Sequence, residues 1–487
     1  MRNFIDWLLL INTIVLVIIL ILERRSPEKT IAWLLVFALL PPLGIFLYLF
    51  IGRNWKKHKL NNGFSADARE MLESYMNTIK DPEMLPLLEL LAKNSDSPLF
   101  INNHITIFNN GEDKFRVLKE ELWKAKHHIH MEYFIVKSDQ IGNEIKDILV
   151  FKAREGVAVR FIMDRVGSIK VKRSYIKELR EAGVDVIHYS YFLAPLLRFF
   201  NTQINYRNHR KIVVIDGQTG FVGGMNIGNE YLGKGRLGFW RDTHIMVKGD
   251  FAIGLQAAFL NDFIHIKKTN RSSVFRKVES LPEEFGIAAL GDYDMYCPKY
   301  HESDGKIMQL VLSGPDSEFP SIMQCIFRMI SMAEKHICIM TPYFIPTESI
   351  MEALKVAALG GIEIKLLFPG KYDHYIVYYA SQTYLRELIK YGVKIYFYDK
   401  DAFLHSKVVT VDGKICTVGT ANMDIRSYLL NYEVNAVIYD EEVTRQLEEQ
   451  FERDLEKSVL ITEEYYEKTS GVIKLVESTA RILSYLL

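Results

Sequence analysis

Five residues recur in a fixed order at two places in the chain. His209, Lys211, Asp216, Gly223 and Asn226 stand in NHRKIVVIDGQTGFVGGMNIG, and His405, Lys407, Asp412, Gly419 and Asn422 stand in LHSKVVTVDGKICTVGTANMD. The spacing H-x-K-x4-D-x6-G-x2-N is common to both, and 405 − 209 and 422 − 226 both give 196. Five fixed positions coincide by chance in roughly one window per million, so two matched copies mark a purpose-built site. In an extended strand, side chains at i and i+2 share a face, which sends each His–Lys pair into one pocket. Two imidazoles facing one phosphodiester can divide the chemistry: one attacks phosphorus and forms a phosphohistidine, and the other protonates the leaving alcohol. Lys211, Lys407, Asn226 and Asn422 would offset the charge growing on the phosphoryl oxygens, so neither a metal nor a cofactor is called for. Each imidazole also needs a carboxylate on its far nitrogen. Glu433 lies 28 residues after His405, in LLNYEVNAVIYD, and the aligned strand FWRDTHIMVKGD offers Asp242. Asp216 and Asp412 complete the two catalytic motifs, but their Asp-Gly positions suit hydrogen bonds to turn backbone better than proton transfer.

The elements that hold these residues repeat as well. HHIHMEYFIV (127 to 136) matches KHICIMTPYFI (335 to 345), GVAVRFIMD (156 to 164) matches GIEIKLLFP (361 to 369), and GVDVIHY (183 to 189) matches GVKIYFY (392 to 398). Buried strands alternate with helices in each half, the pattern of an α/β sheet covered by helices. Two copies of one α/β/α sandwich, packed face to face, are implied. The expected divisions are an anchor over 1–59, a linking helical segment over 60–105, the two repeats over 106–290 and 291–470, and an amphipathic segment over 471–487.

Two apolar stretches open the chain, WLLLINTIVLVIILIL (7 to 22) and IAWLLVFALLPPLGIFLYLFI (31 to 51), separated only by ERRSPEKT. Each approaches the ~20 residues that cross a bilayer, and the short turn makes them an antiparallel hairpin. Arg2, Arg53, Lys56, Lys57 and Lys59 flank the hairpin, against Arg24, Arg25 and Lys29 in its turn. That bias predicts a multi-pass cell-membrane protein whose catalytic body is cytoplasmic. Lysine plus arginine equals aspartate plus glutamate at 60 each, which argues against a long nucleic-acid footprint. The four cysteines, Cys297, Cys325, Cys338 and Cys416, match no zinc spacing or disulfide framework, and a reducing compartment is expected.

The paired motifs resemble the phospholipase D superfamily. ERRSPEKTIAWLL, LPPLGIFLYLFIGRN, GGMNIGNEYLG, WRDTH, TPYFIP and GTANMDIRS are together similar to the bacterial cardiolipin synthases, and the likeness runs from Glu23 to the terminal ESTARILSYLL. The resemblance implies two phospholipase D-like sandwich domains behind a transmembrane hairpin. It also implies transfer of a phosphatidyl group from one phosphatidylglycerol to another, releasing glycerol, with His209 as nucleophile and His405 as general acid. Asn229 departs from the acidic residue expected at its position. A hydrolytic phospholipase D or another phosphatidyltransferase of the same superfamily is the alternative. A nuclease of this fold fits the neutral balance and the anchor less well, and a non-enzymatic scaffold would not keep all ten motif residues.

Other features have plainer readings. His127, His128, His130, His188, His244, His265 and His336 are expected as packed or solvated histidines. Tyr133 with Phe134, and Tyr343 with Phe344, are aligned as equivalent strand ends that either line the pocket or fill the core. The apolar run Tyr191 to Phe200 and the C-terminal GVIKLVESTARILSYLL could each pack on the body or lie on a bilayer.

Overall fold

In a computed structural model, residues 84–189, 206–271 and 305–484 are described, together with 27–40 and the isolated positions 14, 17, 18, 22, 43, 44 and 48. The run Tyr191 to Phe200 and Cys297 lie outside the described residues. Two units are distinguished: residues 1–58 with 191–206, and residues 59–190 with 207–487.

In the smaller unit the helix Pro27–Leu39 is apolar along most of its length. Its proline occupies the first turn, where a missing N–H costs nothing. It ends just before Pro41-Pro42, since the residue preceding a proline is biased away from helix. The helix therefore starts inside the stretch expected as the turn of the hairpin. Phe37 and Tyr48 are buried against Trp33. Among the described residues no helix is long and apolar enough to cross a membrane. Most of both expected spans falls outside the described residues.

The larger unit contains two sheets of the same design. The first runs, edge to edge, Asn103–Phe108, His244–Gly249, Thr219–Gly223, Lys211–Ile215, His128–Tyr133, Ala158–Asp164 and Asp185–Tyr189. The second runs Ile307–Ser313, Asn431–Tyr439, Ile415–Gly419, Val408–Val411, His336–Met340, Glu363–Phe368 and Lys394–Phe397, and adds Val459–Ile461. In both, the last three of the shared seven strands are parallel and the rest antiparallel. The motif strands Lys211–Ile215 and Val408–Val411 are buried on both faces, so they read as unbroken β-branched runs.

One apolar cluster joins the two sheets, combining Ile212, Val214 and Val222 with Val408, Val418 and Val434. The segment read as a linker takes part in this body. Helix Leu85–Asn94 buries Leu87 and Leu91 among residues of the second half, and Asn94 Nδ2 donates to Gln324 Oε1 at 2.8 Å. At the other end, helix Gly471–Ser484 packs on helix Tyr375–Ile389, burying Ala480 and joining Arg386 to Glu477 at 2.5 Å. Val472, Leu475 and Ile482 stay exposed on its outer face.

Two short strands cross between the halves. Arg207–Asn208, just before His209, pairs with the second-half strand, placing Arg207 opposite Asn431 and Asn208 opposite Tyr432. Ala402–Leu404, just before His405, pairs with Phe239–Arg241 of the first half, placing Phe403 opposite Trp240 and Leu404 opposite Arg241. Each half thus hands its motif histidine to a strand of the other half.

Candidate active site

The crossover strands fix both histidines by the same bonds. His209 N–H donates to Tyr432 O at 3.0 Å, and His405 N–H donates to Arg241 O at 2.7 Å. The residues after those two carbonyls are the carboxylates, Glu433 and Asp242. His209 Nδ1 lies 3.0 and 2.9 Å from the two Glu433 oxygens, and His405 Nδ1 lies 2.7 Å from Asp242 Oδ2. Proximity along the chain would pair Glu433 with His405 and Asp242 with His209. The structure pairs them across the halves instead, because a strand that pairs with the opposite half meets the opposite half's carboxylate. An Nδ1–H given to a carboxylate leaves Nε2 with its lone pair, the form a nucleophile needs.

Burial sets the protonation of this site. His209 is pushed down to about 4 by loss of solvent, against the pull of Glu433. His405 is also lowered, by burial first and Lys407 second. Burial alone would raise Glu433, but the charge and hydrogen bond of His209 outweigh it and hold the carboxyl below its usual range. Lys211 falls to about 7 and Lys407 to about 8, both by burial. Lys211 Nζ donates to His209 O at 2.7 Å, and Lys407 Nζ donates to His405 O and sits 2.9 Å from His405 Nδ1. Both lysines therefore lie beside their own histidines, as the i, i+2 spacing requires. Lys407 is also among the charges that lower Lys211 and His209.

The remaining motif residues divide. Asp216 and Asp412 adopt left-handed backbone, with φ of 52° and 55°. Asp216 accepts from the N–H groups of Lys126, His127 and His128 at 2.8, 2.8 and 2.9 Å. Asp412 accepts from those of Glu334, Lys335 and His336 at 2.8, 2.7 and 2.9 Å. The bonds go to the segment opening the adjacent strand, not to the turn itself as expected, and each aspartate anchors a helix-to-strand junction. Asn226 accepts from Ile135 N at 3.1 Å and donates to Tyr231 Oη at 3.1 Å, whereas Asn422 Oδ1 is buried with no partner among the described residues. Asn229 accepts from Ile141 N at 3.1 Å at the start of helix Gln140–Arg154, so its departure from the family pattern touches a helix terminus.

Several neighbours carry no motif. Trp240 packs on His405 with centroids 5.0 Å apart, and Phe134 meets His209 edge-on at 4.9 Å. Tyr231 Oη reaches His405 Nδ1 at 3.5 Å. Asp373, hydrogen-bonded by Tyr343, adds negative charge near His405 and Lys407. Lys114 is fully buried, donates to Tyr133 Oη at 3.0 Å and falls to about 7. A trace of Trp240 was available in sequence, since it precedes Asp242 by two and shares its strand face. Asp373 and Lys114 left none.

The aromatic alignment is corrected by register. His128 and His336 are the two junction residues, and Val136 and Phe344 make the matching bridges to Ile227 and Met423. Both offsets are 208, which aligns Tyr133 with Thr341 and Ile135 with Tyr343. Tyr133 and Phe344 are core residues, while Phe134 and Tyr343 border the site. The other histidines pack as expected: Gln256 bridges His128 and His130 at 3.1 and 2.7 Å. The equivalent trio in the second half is His336, Cys338 and Glu448, whose donor atoms lie within 4.8 Å of one another. Cys325, Cys338 and Cys416 are buried, which pushes each thiol up to about 12.

Comparison with known proteins identifies the family and the fold. The family described as "Cardiolipin synthase, PLD-like domain" matches residues 118–236 and 326–455. "Phospholipase_D-nuclease N-terminal" matches residues 10–53. Cardiolipin synthase 2 of Bacillus cereus is 43% identical over 96% of this chain and 89% of its own length, and the cardiolipin synthase of a Geobacillus species is 41% identical over 98% and 92%. A solved structure, phosphatidylserine synthase of Haemophilus influenzae, has a TM-score of 0.60 at 17% identity, covering 82% of this chain and 99% of that one, a likeness of fold. Two sheets of one design, two matched motifs and these relatives lead to one statement: the chain belongs to the cardiolipin synthase family with phospholipase D-like domains.

Proposed function

We propose that the chain transfers a phosphatidyl group between two phosphatidylglycerol molecules, giving cardiolipin and glycerol. The observation that carries the reading is the pair of buried imidazoles, each bonded through Nδ1 to a carboxylate, with a buried lysine beside each. His209, neutral down to about pH 4, attacks phosphorus through Nε2. An N–P bond forms, the P–O bond to glycerol breaks, and His405, in the imidazolium form that Asp242 stabilises, gives its Nε2 proton to the departing oxygen. The primary hydroxyl of the second lipid then gives its proton to His405. Its oxygen bonds to phosphorus and His209 leaves. Glu433 and Asp242 hold each imidazole in one tautomer.

Lys211 and Lys407 supply positive charge to the phosphoryl oxygens. Asn422, whose buried Oδ1 has no partner among the described residues, is the motif asparagine suited to touch substrate. Asn226 supports it through Tyr231, and Asp216 and Asp412 serve as anchors of the motif strands. We infer further that residues 1–59 form a two-helix membrane anchor with the catalytic body on the cytoplasmic side, on the charge bias of the flanks and the apolar helix Pro27–Leu39.

Incubating the purified protein with labelled phosphatidylglycerol alone tests the activity. Cardiolipin with glycerol is the expected outcome, and phosphatidic acid with glycerol would make the chain a hydrolase.

A further inference from the structure

Strand His128–Tyr133 of the first half and strand His336–Met340 of the second begin alike. Their first and third residues share a face, and a helix packed on that face sends one long polar side chain to both. In the first half the three residues are His128, His130 and Gln256. Burial lowers both imidazoles, His128 to about 4, so they are neutral at ordinary pH and the Gln256 amide bridges them. That set is closed by its own hydrogen bonds. In the second half the same positions hold His336, Cys338 and Glu448. An imidazole nitrogen, a sulfur and a carboxylate oxygen are the ligand types that zinc selects.

The geometry is close to what an ion needs. The three donor atoms lie within 4.8 Å of one another, so a common centre is at most about 2.8 Å from each. Side-chain adjustments of under about 1 Å reach the ~2.0–2.3 Å of zinc bonds. His336 Nε2 and Glu448 Oε1 already meet at 3.0 Å, and an ion would replace the proton they share. The ligands are also held from behind. Asp412 accepts from His336 N–H at 2.9 Å, and Thr410 Oγ1 donates to Glu448 Oε1 at 2.8 Å, the kind of support that orients metal ligands. Access exists as well. All three residues line a cavity of about 540 Å³, whose wall carries five glutamates against Lys365, Arg445 and Arg453. An excess of carboxylates draws a cation into such a cleft. Cysteine spacing gave no hint, because the other ligands are a histidine two residues away and a carboxylate on helix Glu441–Leu455.

We propose that His336, Cys338 and Glu448 bind one zinc ion, which clips helix Glu441–Leu455 to the strand beside the second motif. As the metal–sulfur bond forms, Cys338 releases its proton to solvent, and the ion's charge offsets the burial that pushes the thiol up to about 12. The role is structural. His336 lies at the opposite end of the motif strand Val408–Val411 from Lys407, so phosphatidyl transfer does not run through the ion. The clipped helix also carries Asp454, which accepts from Arg241 Nε of the first half at 2.8 Å. Occupancy therefore stiffens a contact between the halves.

Cobalt(II) is a coloured probe for such a site. The full-length protein, purified in detergent and stripped with chelator, should take up one cobalt per chain at micromolar concentration. It should then show the near-ultraviolet charge-transfer band of a cobalt–thiolate bond. Zinc should displace the cobalt and raise the midpoint of thermal unfolding. Cys338→Ser should abolish the band, while continued cardiolipin formation reports a folded body. His336→Gln and Glu448→Gln should each weaken zinc binding by at least about tenfold. No band in the unaltered protein, or a band that survives Cys338→Ser, overturns the site. Should Cys338→Ser unfold, Glu448→Gln at its half-buried position decides the matter, since cobalt binding of unaltered strength there also overturns it.

Discussion

The His209 end and the His405 end of the site start from one motif and reach different surroundings. At the first, the imidazole meets glutamate and phenylalanine; at the second it meets aspartate, tryptophan, tyrosine and a lysine within 2.9 Å of its Nδ1. Duplication preserved what the reaction needs twice: an imidazole, a carboxylate and an ammonium group. It left free what the two ends do separately. Division of labour in a symmetric site is therefore written in its neighbours, not in its motif.

The largest effect should come from the histidines themselves. His209→Ala and His405→Ala should each lower turnover by several orders of magnitude, since attack and protonation act as one unit. With a phosphatidyl donor whose leaving group needs no proton, His405→Ala should still accumulate phosphohistidine while His209→Ala does not. The reverse pattern would exchange the roles of the two ends.

The carboxylates come next. Glu433→Gln and Asp242→Asn preserve shape but no longer hold the tautomer, and turnover should fall by about 10²- to 10⁴-fold. Because the bonds cross between halves, Glu433→Gln should impair phosphohistidine formation on His209. If it left that step intact and blocked protonation alone, the crossed pairing would be wrong.

The two lysines give a pH dependence. An ammonium group binds the phosphodiester only while protonated, and Lys211 loses its proton near pH 7 and Lys407 near pH 8. His209 is already neutral above about pH 4. The value of kcat/KM should therefore decline as pH rises through 7 to 8, and a limb rising through that range would contradict the lysine role.

A smaller and different effect is expected at the anchors. Asp216→Ala or Asp412→Ala leaves three backbone N–H groups without their acceptor and should cost about 2–3 kcal/mol of stability. A thermal unfolding scan should show the loss while KM for phosphatidylglycerol changes little. The last expectation is that turnover survives excess chelator. Full loss restored by a divalent ion would show that Lys211 and Lys407 do not supply the charge alone, and would direct attention to His336, Cys338 and Glu448.

Much of this was legible in the chain because the strand period and the motif spacing are local rules. The i, i+2 placement of His209 with Lys211, the α/β class and the two copies all follow from residues within a few positions of one another. The partner of each histidine was not legible, since it depends on the two-residue strand Arg207–Asn208 and the three-residue strand Ala402–Leu404 pairing with distant segments of the opposite half. Strands that short leave no periodic trace. The aromatic pairs misled for a related reason: Tyr-Phe-Ile occurs in both halves, but the register set by Asp216 and Asp412 shifts one copy by two residues. Nor could spacing show that Asn226 is engaged by Tyr231 while the Asn422 carbonyl has no partner among the described residues.

The crossed carboxylates have a consequence during synthesis. His209 emerges from the ribosome more than two hundred residues before Glu433, its only carboxylate partner among the described residues. Domains fold as they emerge, so the first half can assemble its sheet early. It holds an unsupported imidazole until the strand Asn431–Tyr439, which carries Glu433, has been made. In the proposed mechanism, a chain that stops short of Glu433 therefore lacks a supported nucleophile.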